Sequence, residues 1–259
     1  MKIVAIIPAR LASTRLNKKL LIKFNNLEMI EHVRRRAILS EAFEEVYVAT
    51  GDYEIEQLIK NYKGNVIRTY KSHPNGTSRA AEAIKSIDAS HLVLIQGDEP
   101  LILPNSLRQM VNFIRENPNY KAINAIANIE QDSDLEDSSQ VKCAINKNGR
   151  ILYCFRKSPS NCSSNKKYIY IKKMLGLIGY KREILNLISN SEESVIQSLE
   201  SIEQLWFMEN NYDIHSIETE SCIPSVNLYS DIEKVVKYIK KHRNQQILIE
   251  EVLNLNQSL

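Results

Sequence analysis

Three things are missing from this 259-residue sequence, and each absence narrows what the protein can be. No apolar run approaches the length needed to cross a bilayer, and the first residues lack the design of a secretory signal. Membrane insertion and export are therefore not expected. Charge of one sign is not in excess either: 34 Lys and Arg face 31 Asp and Glu, and a formal net charge of +3 argues against a nucleic-acid partner. Local basic clusters at residues 166–167, 172–173 and 240–243 read as solvated faces. The four cysteines, Cys143, Cys154, Cys162 and Cys222, have no C-x-x-C pair and no metal-ligand spacing. That predicts reduced thiols in a cytoplasmic protein.

What is present is ordinary globular material, 43% hydrophobic and 25% charged, enough for one large α/β domain or one domain with a small lobe. The most informative stretch comes first. Ile3 to Ile7 is a continuous β-branched run, the pattern of a strand buried on both faces. Pro8 has no N–H for a sheet ladder, so the strand is expected to stop there. The next segment holds Arg10, Arg15, Lys18 and Lys19 with Ser13 and Thr14, and no carboxylate. A loop leaving the end of a buried parallel strand is where open α/β sheets bind ligands, and this loop's chemistry suits a polyanion. Arg10 and Arg15 offer planar forks for phosphate oxygens, and Lys19 a point charge. A solvated basic loop is the plain alternative.

Downstream, strands alternate with helices, which predicts βαβ units and a parallel sheet. Residues 26–39 form an amphipathic segment with Arg34, Arg35 and Arg36 on its polar side. Strands follow at 45–50, 65–69 and 91–95, with a helix over 53–61 closed by Gly64 as a C-cap. Asn75-Gly76 turns the chain, and Thr77 or Ser78 is suited to cap the next helix. Gln96-Gly97-Asp98-Glu99-Pro100 ends the fourth strand with two adjacent carboxylates, costly there unless water, a cation or a ligand meets them. Asp98 facing a triphosphate would make a reasonable Mg²⁺ half-site, Gln96 could bond a base or ribose, and Gly97 would let the backbone approach a ligand. Residues 130–139 read as a surface loop, and Asn146 to Gly149 as the turn of a hairpin between 140–145 and 150–156. Glu200 to Trp206 reads as the start of a helix.

Several of these segments together resemble one family. Pro8-Ala9-Arg10-x-x-Ser13-Thr14-Arg15-Leu16 with Lys19, and Gln96-Gly97-Asp98-Glu99-Pro100, look like two signatures of the CMP-Kdo synthetases, the cytidylyltransferases that activate 3-deoxy-manno-octulosonate (Kdo). The likeness spans nearly the whole chain. It implies a three-layer αβα Rossmann-like nucleotide-diphospho-sugar transferase fold, mainly a parallel sheet with a small hairpin lobe. It further implies a single nucleotidyltransferase domain over 1–259, with 140–215 supplying a lobe for the sugar acid and for dimerisation. Arg10, Arg15, Lys19 and Asp98 would be the catalytic residues. Ala9, Arg10, Ser13, Lys19, His73, Asn75, Gly76, Arg79 and Gln96 would bind the nucleotide. Lys142, Arg156, Tyr180, Glu203 and Gln204 would face the sugar acid, and Asp98 with Asn227 would hold Mg²⁺. The implied partners are CTP, an acidic sugar and a second copy of the chain.

The sequence also departs from that family. Lys18, Gly51, Ser78, Met174, Trp206 and Asn227 stand where the family has, in turn, Gly, an acid, an acid, His, Arg and a metal-binding Asp. Three functions remain open at this point: cytidylyl transfer to Kdo, transfer to another acidic sugar, and nucleotide-sugar binding without catalysis. Asn227 separates the first from the third; Met174 and Trp206 separate the first from the second. Asp231 reads as the cap of the helix that follows Asn227.

Overall fold

The computed structural model describes residues 1–12, 16–129, 132–162, 165–192, 194–220 and 224–255. Ser13, Thr14, Arg15 and Cys222, singled out above, lie outside these residues.

Apart from a short strand pair that the sequence does not predict, the first half alternates as expected: β1 (Ile3–Ala9), then that pair, β2 (Lys23–Phe24) and β3 (Leu27–Glu28), then α1 (Met29–Leu39), β4 (Val46–Thr50), α2 (Tyr53–Asn61), β5 (Asn65–Arg68), α3 (Gly76–Ala83) and β6 (His91–Ile95). Then come α4 (Pro104–Glu116), β7 (Ala122–Ala127), α5 (Asp132–Glu136), the hairpin β8 (Lys142–Ile145) and β9 (Ile151–Phe155), and the long β10 (Ile171–Lys181). The chain closes with α6 (Arg182–Asn190), α7 (Val195–Glu200), α8 (Leu205–Glu209), β11 (His215–Glu218), α9 (Tyr229–Lys241) and α10 (Arg243–Asn254). The main sheet runs β11-β7-β10-β6-β1-β4-β5, with β8 and β9 added beside β10. β5, β4, β1 and β6 are parallel, as are β7 and β11, while β10 runs antiparallel to β6, β7 and β8.

Helices cover both faces. Ile3, Ala5, Ile7 and Ala9 of β1 face one core, shared with α1, α4, α9 and α10; Val4 and Ile6 face the other, shared with α3, α6 and α8. This is the period-two alternation of a strand buried on both sides. Such a sheet sends the ends of β1, β4 and β6 to one edge, and the site lies there.

Several local expectations are corrected. β1 runs through Pro8, which is paired with Ala49 of β4. Ala5 N–H points to the β4 side, so alternation turns Pro8 nitrogen to the β6 side, where pairing has ended at Ile6–Leu94. Its missing donor costs nothing there. Arg34, Arg35 and Arg36 are buried, because α10, the turn after α2 and the segment before α4 cover the face that α1 would otherwise show to water. Buried Glu31 meets Arg34 at 2.6 Å and 2.7 Å and Arg35 at 2.8 Å, and Arg35 Nη1 also donates to Val252 O near the end of α10. Arg36 donates to Ile102 O, and burial pulls its guanidinium down to about 9.

The cap of α3 is Asn75, whose Oδ1 accepts from Ser78 N at 2.9 Å, in place of Thr77 or Ser78. The left-handed residue after α2 is Lys63, at φ 54°, in place of Gly64. Residues 132–136 form α5 where a loop is expected, and Glu203 and Gln204 sit in the turn between α7 and α8 where a continuous helix is expected. The hairpin stands as read, with Gly149 at φ 74° in its turn. Asp231, expected to precede a helix beginning at Ile232, lies inside α9 as its third residue and reaches back to close the helix start, accepting from Asn227 N and Leu228 N at 3.0 Å and 2.8 Å.

Candidate active site

The ends of β1, β4 and β6 converge with the start of α3 on one cleft. Its larger part is a cavity of about 540 Å³ between the strand ends and the hairpin side; a smaller one of about 160 Å³ continues beneath the start of α3. Arg10, Asn75, Gly76, Gln96 and Asp98 line both.

The basic segment after β1 and the acidic segment after β6 meet directly. Lys19 Nζ lies 2.5 Å from Asp98 Oδ2 and 3.2 Å from Val226 O, while Val226 N donates to Asp98 O at 3.0 Å. Residues 79 and 128 positions apart from one another along the chain thus share a single knot. The start of the loop is pinned by a carboxylate the sequence reading did not single out. Asp52 Oδ2 accepts the Leu11 amide at 2.8 Å, and the Asp52 amide donates to Thr50 Oγ1. Asp52 follows Gly51, so the chain carries an acid one residue later than the family pattern has it. Its position just past a buried strand was the available signal.

His73, Asn75, Gly76 and Arg79 form the next wall. Arg10 Nη1 donates to His73 O at 3.3 Å. His73 Nε2 lies 2.7 Å from Glu82 Oε2, and burial lowers the ring below its usual value despite that carboxylate. Arg79 donates to Thr69 Oγ1 at 2.5 Å and lines the smaller cavity with His73 and Ala12.

Gln96 is held from two sides. Its amide N–H donates to Gly176 O at 2.8 Å, and its Nε2 donates to Glu203 Oε1 at 3.0 Å. Gly176 is needed for that approach, because a Cβ there would sit 2.8 Å from Gln96 Cβ. Gly97 has another use than the one expected: a Cβ would press on Leu20 and Ile30, so it packs against the core. Glu99, also in the cleft wall, is pushed up to about 8 by burial and by the neighbouring Asp98 charge.

The five residues expected on the sugar side divide. Arg156, Glu203 and Gln204 line the larger cavity; Lys142 and Tyr180 do not. Lys142 is fully buried with Nζ on Asp137 O at 2.8 Å. Tyr180 is buried beneath α3, its hydroxyl 2.8 Å from Thr77 Oγ1. Arg156 donates to four carbonyls, of Ser138, Ser139, Glu200 and Ser201, at 2.9–3.3 Å. Glu203 accepts Thr77 N and Gln96 Nε2, both at 3.0 Å; burial raises its carboxyl and these bonds oppose the rise. Gln204 Nε2 donates to Asn124 Oδ1 of β7. Met174 lines the cavity, whereas Trp206 is packed on Tyr212 and Phe207 with Nε1 on Ser191 Oγ.

Asp98 and Asn227 face the same cavity, and no group of three or more His, Cys, Asp or Glu suited to a metal occurs among the described residues. One carboxylate and one amide oxygen fit Mg²⁺ that takes its remaining ligands from phosphates and water. Among the described residues no helix is long and apolar enough to cross a membrane.

Residues 4–219 match the family described as cytidylyltransferase. The chain is 34% identical to the 3-deoxy-manno-octulosonate cytidylyltransferase of Fusobacterium nucleatum over 243 residues, covering 93% of this chain and 98% of that protein. It is 32% identical to the Escherichia coli protein of the same name over 234 residues, covering 90% and 94%. Its fold superimposes with a TM-score of 0.85 on a CMP:2-keto-3-deoxy-manno-octonic acid synthetase complexed with CTP, at 31% identity over 93% of this chain and 99% of that one. A 4-diphosphocytidyl-2C-methyl-D-erythritol synthase from Anaerococcus prevotii shares the fold alone, with a TM-score of 0.63 at 16% identity.

Proposed function

The chain belongs to the cytidylyltransferase family, among its 3-deoxy-manno-octulosonate enzymes, and from that premise we propose that it transfers the cytidylyl group of CTP to Kdo with release of pyrophosphate. The observation that carries this reading is the meeting of Lys19 and Asp98 at 2.5 Å across the mouth of the parallel strands, which places a cation and a carboxylate at one end of one cleft.

Nucleotidyl transfer asks the protein for positioning and charge neutralisation more than for a covalent nucleophile. Arg10 and Lys19 would face the triphosphate and its departing pyrophosphate, together with Arg15 and Ser13 as the family pattern implies. Ala9, His73, Asn75, Gly76, Arg79 and Gln96 would shape the seat of the cytosine nucleotide. Asp98, with the Asn227 amide oxygen, would hold Mg²⁺, whose charge when bound would offset that of the phosphates. Lys19 now neutralises Asp98 and would then be released toward phosphate. Gln140, Gln197 and Gln204 bring neutral polar groups to the opposite end of the cavity, which suits sugar hydroxyls.

The test is to incubate the purified protein with CTP, Mg²⁺ and Kdo and follow pyrophosphate release. Release is expected. Silence with Kdo and release with another acidic sugar would move the assignment to that sugar, and CTP binding without turnover on any sugar acid would leave a nucleotide-sugar binder. A homodimer built through residues 140–215 belongs to the same reading, and exposed Leu152, Tyr153 and Ile169 support it. Size-exclusion with light scattering should give twice 29.8 kDa.

A further inference from the structure

We propose that Lys173 receives the carboxylate of the sugar substrate and so sets the preference for an acidic sugar. The proposal rests on the cytidylyltransfer reading above.

The first ground is how β10 is built. A regular strand shows alternate residues to opposite faces, yet Lys173, Met174, Leu175 and Gly176 all line the larger cavity. The ladder between β10 and β7 is regular at Lys173–Ala127 and Met174–Ile126, then shifts register before resuming at Ile178–Asn124. Asn124 fills the irregularity by donating to Leu175 O at 3.1 Å. Such a break turns a strand locally and re-aims its side chains. Here it brings Met174, Leu175 and Gly176 to the same cavity as Lys173, which lies just before the break. Alternation sends Lys173 to the cleft and its neighbour Lys172 inward onto Asn128, so this pair is not the solvated face that composition suggests.

The second ground is elimination among the cations. Among the described residues, Arg10, Arg156 and Lys173 are the Lys and Arg residues lining the larger cavity. Arg10 sits at the nucleotide end and is turned to His73 O. Arg156 spends Nε, Nη1 and Nη2 on four backbone carbonyls. Lys142 is buried on Asp137 O outside the cavity lining. Among the described residues Lys173 is bonded through its backbone in the β10 ladders, and its ammonium makes no hydrogen bond and no ion pair within 4 Å, so its three donors are available.

The third ground is charge. Asp98 and Glu99 line the same cavity as Lys173. A carboxylate that leaves water to enter this cavity needs a cation to hold it, and a charge-assisted bond to an ammonium is the strong way to do so. Met174, next along the strand, offers only a thioether.

The experiment compares wild type, Lys173→Met and Lys173→Arg in steady-state pyrophosphate release with Mg²⁺ and CTP. Kdo is tested against its analogue with C1 reduced to a hydroxymethyl group. For Lys173→Met the KM for Kdo should rise roughly 10- to 100-fold, the loss typical of a bond to a charged group, with the KM for CTP changed less than about twofold. Wild type should strongly prefer Kdo to the reduced analogue; Lys173→Met should lose most of that preference, and Lys173→Arg should keep it. Thermal melting checks that all three fold alike. An unchanged KM for Kdo in Lys173→Met, or a KM for CTP that climbs equally, overturns the assignment while wild-type turnover leaves the cytidylyltransfer reading standing. No release by wild type with any sugar acid overturns that reading and this proposal together.

Discussion

The two ends of the cleft are built from similar residue types put to different use. At the end proposed for the nucleotide, Arg10, Lys19 and Asp98 stand on segments leaving parallel strands; Arg10 and Lys19 each meet one carbonyl, and their charges otherwise face the cavity or Asp98. At the hairpin end, Lys142 on β8 and Arg156 just past β9 carry the same charge, yet both are engaged by backbone carbonyls. A parallel strand end leaves its loop free for a ligand, because the ladder is over and the neighbouring helix turns away. A hairpin packed against an adjacent loop and the α7–α8 turn has carbonyls to satisfy, and nearby cations satisfy them. A cation's residue type therefore says little about function until its donors have been counted.

The comparison breaks most sharply at Asp98. Asp98→Asn should cut pyrophosphate release by about 10³-fold, the range for removing one charge-stabilising group from a transfer site, with little change in melting temperature. Activity within tenfold of wild type would mean that the nucleotide end is as structural as the hairpin end. Arg156→Met should do the opposite. Losing a charged donor from four carbonyls should cost roughly 2–3 kcal/mol of stability, read by denaturant unfolding. The KM for CTP should stay near wild type. A variant of unchanged stability with only the sugar KM raised would return Arg156 to the substrate.

These contrasts mark what a sequence can carry. The β1–α1–β4 and β6 order, the hairpin with Gly149, and the pairing of residue 19 with residue 98 were legible because each rests on a local pattern or on a two-part signature. Arg34, Arg35 and Arg36 were misread because helical periodicity identifies one apolar face, and only tertiary structure shows that α10 and its neighbours cover the other. Pro8 was misread because a missing N–H matters only on a side that has a partner. Lys173 was hidden because two adjacent lysines read as one solvated face, whereas strand alternation buries Lys172 and turns Lys173 to the cleft. Cys143 and Cys154, 11 residues apart, are opposite one another across β8 and β9, a neighbour relation that C-x-x-C spacing does not reveal.

Asn227 sharpens the comparison from inside the nucleotide end. Its backbone is fixed by the bond from Asn227 N to Asp231, and its Nδ2 donates to Ser225 Oγ at 3.2 Å. Asn227→Asp adds a unit charge to a frame already in place. The Mg²⁺ concentration that gives half-maximal turnover should fall about tenfold, as added ligand charge tightens oxygen-ligand sites. An unchanged Mg²⁺ dependence would remove residue 227 from the metal's surroundings.

The smallest effect is expected at Lys142, and its direction is informative. Burial lowers the Lys142 ammonium below its usual value, with the Asp137 charge opposing the shift. The folded state therefore releases this proton at a lower pH than the unfolded chain, which holds it to about 10.4. Across that interval the unfolded state binds more protons, so wild type should gain stability as pH rises. Lys142→Met keeps the length of the stem, removes the buried charge and leaves only one carbonyl without its partner. Its stability near neutral pH should stay within about 1 kcal/mol of wild type, because a buried charge and its apolar replacement often come close to balance. Melting temperatures of the two proteins, measured in parallel from pH 7 to pH 10, should move in wild type's favour at the alkaline end. The KM for Kdo should not change. A raised KM, or a stability difference independent of pH, would show that Lys142 reaches the cleft and that the two ends use their cations alike.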